Sequence, residues 1–298
     1  MAETIVSPGV LTRENDQSQI TSAPVVVGAA LLGPTVKGKP NIPTIVTSYS
    51  DYQSKFGTTF TSGSGTSGVE KSFLTSIAAK NYFDNGGETL AVTRIVSAAG
   101  DFNAASSSAI TATETDFNNP FELETLSEGA ILNSANDDGT VTAGSNGVLT
   151  NGTTDNLRWE IRDSNTTQGT FSLVIRRGDD RLQNKIVLEE FSGLTLDPKS
   201  PNYITKQIGD QVQTLRGSGV DVYLQTTGSY RNASRYVRIK AVNFNTPDYL
   251  DNNGAAKDAF TGSIPTNQSG AFNGGNGEIY VGADTLYQKI NATTTQGL

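Results

Sequence analysis

VVVGAALLGPTVKGKPNIPTIVTSYSDYQSKFG, residues 25–57, decides how the rest of the chain is read. Inside it, GPTVKGKP (Gly33 to Pro40) has the glycine and lysine spacing of a phosphate-binding P-loop. That motif needs a hydroxyl after the lysine and then a helix whose N–H groups cradle phosphate. Pro40 supplies neither hydroxyl nor N–H, and the following NIPTIVT holds a second proline, Pro43. The nucleotide reading fails on mechanism. The stretch predicts a loop between two strands, with glycine providing the special dihedrals. Lys37 and Lys39 are then expected as surface charges, available as lattice contacts to carboxylates of a neighbouring copy.

On either side the pattern is regular. Pro24–Leu32 predicts a buried strand, and Ile42–Thr47 a second with Pro43 near its start. Ser48 or Ser50 caps a short helix, DYQSKF, which Gly57 ends. Residues 58–68 read as a Gly/Ser/Thr loop. Val69–Asp84 predicts a helix with Phe73, Leu74, Ile77, Ala78 and Tyr82 on one stripe, stopped at Asn85-Gly86-Gly87. Thr89–Val96 follows as a strand. Residues 23–96 thus form an α/β core segment.

Upstream, residues 1–22 read as an extended arm, with Pro8 restricting Ser7 to extended backbone. Downstream, composition turns polar at residue 97. Residues 97–245 predict an inserted β-rich domain with long loops. Its clearest strands are NLRWEIRD, TFSLVIRRG, KIVLEEF, VDVYLQT and RYVRIKAV. Ser200-Pro201 predicts a helix start. Residues 246–298 read as loop-rich. The fold class is α+β and multi-domain.

The 298 residues include no Cys and no His, which removes the usual zinc, iron–sulfur and haem ligands and any His-based triad. A net charge of −8 without Lys/Arg clusters argues against a nucleic-acid partner. No run of 18 apolar residues provides a helical membrane span, and MAETIVSPGV has no leader pattern. Adjacent carboxylates occur at Asp137–Asp138, Asp179–Asp180 and Glu189–Glu190. The aspartates sit in turn contexts, and the glutamates would point to opposite faces of a strand. The expectation is no catalytic residue, no cofactor, no metal and no enzymatic activity. A structural or binding role follows, with a β-rich adhesion or carbohydrate-binding module as the alternative class.

Four segments in order resemble contractile-tail sheath proteins, the family of myophage tail sheaths and related contractile injection systems. They are SPGV with LTREND, the opening stretch itself, AAKNYFDNGGETLAVTRIV with its strand arginine Arg94, and FSLVIRRG…EEFSGLTLDPKSPNYITKQI. The resemblance implies a virion subunit, assembled in the bacterial host cytoplasm. It implies polymerisation with copies of itself in a helical sleeve around the tail tube, between baseplate and tail terminator. It also implies an interaction arm, here Ile5, Val6, Ser7, Pro8, Gly9, Val10, Leu11, Thr12 and Arg13, that adds a strand to a neighbour. Family members continue into a further C-terminal region, which is expected beyond LYQKINATTTQGL.

Overall fold

A computed structural model describes residues 28–62, 69–96, 102–136 and 138–277. The opening stretch folds as strand β1 (Ala29–Gly33), a loop, strand β2 (Thr44–Val46) and helix α1 (Tyr49–Phe56). Ser48 is the cap, its Oγ accepting the Asp51 N–H at 3.1 Å. Gly57 ends the helix at φ 69°, a left-handed conformation that glycine adopts without strain.

Strands β3 (Thr59–Ser62) and β4 (Val69–Ser72) pair antiparallel, so the span read as loop and helix start begins and ends as a hairpin. Helix α2 (Leu74–Asp84) therefore starts later than its apolar stripe suggested. Its buried face is Thr75, Ser76 and Ala79, while Leu74 and Ile77 point outward. The physical reason is close approach. A Cβ on Gly33 would collide with the Thr75 hydroxyl, and the Ser76 hydroxyl lies 3.1 Å from the Tyr52 hydroxyl. Small side chains let α2 lie against β1, where leucines would hold it off.

Strand β5 (Leu90–Arg94) runs parallel to β1 and antiparallel to β2, giving a three-stranded sheet in the order β1-β5-β2. Leu90, Val92 and Val46 meet Tyr52, Phe56 and Ala79 of the two helices in one buried cluster.

The rest of the described chain is mostly β. Its strands are β6 (Ala104–Ser107), β7 (Phe121–Glu128), β8 (Leu157–Asn165), β9 (Thr170–Arg177) and β10 (Val187–Thr195). After helix α3 (Ile204–Ile208) come β11 (Val212–Arg216), β12 (Tyr223–Thr227) and β13 (Val237–Val242). A single helical turn α4 (Asp258–Thr261) precedes β14 (Gln268–Asn273). Seven of these strands form one sheet in the order β10-β9-β8-β14-β6-β7-β13. Trp159, Phe121, Phe171, Leu173, Ile175 and Phe272 fill its core, and the rings of Phe121 and Phe171 stack at 5.5 Å.

Two readings change here. Ser200-Pro201 does not cap a helix: α3 begins at Ile204 with Tyr203 as its cap residue, and no side chain caps it. The segment read as loop-rich from residue 246 contains β14, which sits mid-sheet between β8 and β6. QSGAFN carries only two apolar side chains. Gly270 is required there because a Cβ would enter the Trp159 indole.

Candidate functional site

The Gly33–Pro40 loop, the end of β5 and the end of β7 converge on one buried point. Arg94 is 1% exposed. Its Nη1 donates to the carbonyl of Gly38 at 2.6 Å and to that of Glu128 at 2.7 Å. Its guanidinium lies 5.0 Å from the centre of the Phe102 ring, a cation–π distance. Burial pulls the Arg94 pKa down to about 10, opposed by the Glu128 charge, and the group stays cationic at neutral pH. Gly38 turns the loop at φ 107° and its carbonyl also accepts the Glu128 N–H.

Both loop lysines pair within the chain. Lys37 is 7% exposed and its Nζ lies 3.3 Å from Asp155, just before β8. Lys39 lies 3.2 Å from Glu128. The expectation of Lys37 as a surface charge is thereby corrected, while the Lys39 side chain stays partly exposed beside its partner. The loop folds against the large sheet, and carboxylates of that sheet reach the lysines first. Burial raises the Asp155 pKa, with the Lys37 charge pulling the other way. Val36, Phe60 and Phe73 add a small apolar cluster against Ile131.

The loop is not shaped to hold phosphate. Lys37 N–H already donates to the Phe56 carbonyl, and Asn41 N–H to that of Arg94. Pro40 bridges to Arg94 in parallel register.

A second charged cluster lies on β8 and β9. Arg158, Glu160 and Arg162 alternate with Trp159 and Ile161, so they share the opposite face of the strand. Arg176 is fully buried; its Nε and Nη2 donate to the two Asp180 oxygens at 2.6 and 2.8 Å, and its Nη1 donates to Glu160 at 2.8 Å. Arg158 Nη1 reaches Asp180 at 3.0 Å, and Lys185 reaches Glu160 at 2.6 Å. For Glu160 burial pushes the pKa up, but hydrogen bonds from Arg162 and Lys185 and the Arg176 charge outweigh it and hold it down at about 2. Asp180 closes the turn after β9, its N–H donating to the Arg177 carbonyl at 3.2 Å, and it is at the same time a buried ion-pair partner. The signal was present as charges at period two inside apolar strands, RWEIR and VIRRGDD.

Two further carboxylates are engaged locally. Glu189 accepts from the Ser234 hydroxyl at 2.6 Å and the Arg235 N–H at 2.9 Å. Asp251 accepts the N–H groups of Asn253 and Ala255, as a turn aspartate does. Among the described residues no group of three or more potential metal-ligating side chains converges. A cleft of about 1510 Å³ opens beside the junction. Three ion pairs lie on its walls, Lys39 with Glu128, Arg238 with Glu124, and Lys240 with Glu122, and Arg216 and Arg231 line it as well. The arm residues Ile5–Arg13 and Asp137 lie outside the described residues.

No family model and no curated protein matches this sequence. Among solved structures, the chain is similar to the crystal structure of a sheath tail protein from Desulfitobacterium hafniense, at 12% identity and a TM-score of 0.26. That match covers 84% of this chain and 40% of the other, so the chain spans well under half the length of that protein.

Proposed function

We propose that the chain is a structural subunit of a contractile tail sheath and not an enzyme. It would polymerise with copies of itself as a helical sleeve around a tail tube, between baseplate and tail terminator, in a phage virion assembled in the host cytoplasm. The sheath of a non-phage contractile injection system is the same reading in another setting. One observation carries it. The two segments with the most specific resemblance meet in a single sheet through their described parts, residues 28–57 and the strand ending at Arg94, where the Arg94 guanidinium holds the Gly38 carbonyl. Residues that the motif order singles out together are therefore physically one unit.

The reading gives the machine a simple logic. A heterologous contact that does not close into a ring generates a helical polymer. Contraction is then a one-way passage between two lattices, driven by contacts made only in the compact one. For that, each subunit must move as a rigid body. The Arg94 junction and the lysine pairs serve this by tying the small sheet to the large one. No nucleotide takes part.

Negative-stain microscopy of the purified protein tests the reading, with long tubes as the expected result. Removing residues 1–13 should abolish tubes and leave the circular dichroism spectrum unchanged. A chain that stays monomeric at every concentration tried would refute it.

A further inference from the structure

The β11–β12 hairpin pairs with no other strand among the described residues. Every residue of β12 is exposed. Around it Leu215, Val222, Tyr223 and Leu224 are 43–59% exposed and Val220 is 99% exposed. Two-stranded sheets with bare apolar side chains are marginal alone. Chains usually blunt such an edge with lysine, proline or a bulge, and Tyr223-Leu-Gln-Thr-Thr227 has none of these.

The direction of its free hydrogen-bonding groups follows from the ladder. Register pairs run from Val212–Thr227 to Arg216–Tyr223. Gln211, next along, donates its N–H to Asn232 Oδ1 at 2.9 Å, and its carbonyl accepts from Asn232 Nδ2 at 2.7 Å, instead of continuing the ladder. The hydrogen-bonded pairs are therefore Val212–Thr227, Thr214–Gln225 and Arg216–Tyr223. Leu224 and Thr226 consequently aim their N–H and carbonyl groups away from β11.

We infer that the β12 edge pairs antiparallel with the β12 edge of a second copy, about a two-fold axis at Gln225. Full overlap of the strand sets Leu224 opposite the second copy's Thr226 and the reverse, so all eight outward groups bond. The Leu224 side chains become diagonal neighbours on one face, within reach of each other. The strand itself is uncharged, so two copies of a chain with net charge −8 meet there without local repulsion. Antiparallel pairing also directs Asp221 at one end of each strand toward Arg231 beyond the other, and neither has an ion-pair partner among the described residues. This contact does not rest on the sheath reading, because a two-fold pair closes on itself.

The absence of cysteine makes the test clean. In a non-hydrogen-bonded antiparallel pair Cα atoms lie about 4.5 Å apart, within disulfide range. Gln225→Cys should oxidise to a disulfide-linked dimer, whereas Thr227→Cys, opposite the second copy's Tyr223, should not. Adding Thr226→Pro, which removes an outward N–H and no hairpin bond, should abolish the crosslink in Gln225→Cys. Leu224→Lys should do the same while keeping the backbone intact. Equal crosslinking of the two cysteine variants, or none by Gln225→Cys, overturns the inference. Either result is read from the chain itself, whether or not tubes form.

Discussion

The β8–β9 and β11–β12 hairpins are both antiparallel pairs, yet Trp159, Leu173 and Ile175 in the first are at most 1% exposed while all of β12 is exposed. Propensity does not separate them, since both are rich in branched and aromatic residues. Neighbours do. The first hairpin lies between β10 and β14, so both its edges are paired; its apolar face packs into the core with Leu196 and Ile204, and its polar face folds over Arg176 and Asp180. Among the described residues no strand pairs with either edge of the second. What a strand pair contributes to stability is thus set by what covers it, and the two hairpins should answer substitution on different scales.

The largest difference is expected at the buried ions. Asp180→Ala leaves the Arg176 and Arg158 guanidiniums without their shared carboxylate in a site closed to water. Breaking a buried pair from one side costs about 3–5 kcal/mol, and because Glu160 still offsets part of the Arg176 charge the expected loss lies toward the lower end. Equilibrium urea unfolding measures it directly. A loss below about 1 kcal/mol would show that water reaches the cluster and that the two hairpins are less unlike than their burial implies.

How far the sequence revealed this contrast depends on the range of the interaction involved. Ser48 and Gly57 act within one helix, and both were legible. The strand around Trp159 was legible from its period-two alternation, and those around Val174 and Leu188 from their apolar runs. β6, with sequence AASS, was not, because its side chains are too small for any period to show. β7 was missed although Phe121, Leu123 and Thr125 alternate inward, since polar turn residues surround it. Lys37 and Lys39 were placed at the surface because their partners, Asp155 and Glu128, are brought to them only by the fold. The helix face of α2 was misjudged because hydrophobicity marked the wider stripe, while the sheet selected the face with small side chains.

Acid titration sharpens the comparison next. The Glu160 pKa is about 2 in the folded chain against an ordinary 4.5. A depressed carboxylate contributes stability that is fully present above its unfolded pKa and is lost as pH falls through the folded one. Stability should therefore decline between pH 4.5 and 2. The size is at most about 3 kcal/mol, and less after solvent screening of a side chain that is partly open. Asp155 works in the opposite sense. Its pKa is raised, so its ionisation costs stability as pH rises from its unfolded value through the folded one. Glu160→Gln should flatten the acid limb, whereas Asp155→Asn should steepen it slightly. Identical acid limbs in the wild-type chain and Glu160→Gln would remove the network as their source.

The smallest effect is expected where the exposed apolar surface is greatest. Val220 has no packing to lose, at 99% exposure in the turn between β11 and β12. Val220→Ser therefore leaves no cavity and strands no polar group, and surface changes of this kind fall within about 0.5 kcal/mol. The same swap at buried Val237, inside the apolar core beneath the large sheet, would put a hydroxyl among apolar side chains, at a cost of about 1–3 kcal/mol beyond lost packing. Measuring both variants in urea isolates the contribution of cover from that of residue type. If Val220→Ser destabilised the chain as strongly as Val237→Ser, the hairpin tip would have to be covered in solution, by this chain or by another copy. Repeating the measurement at a tenfold lower protein concentration separates those two, because only cover by a second copy is lost on dilution.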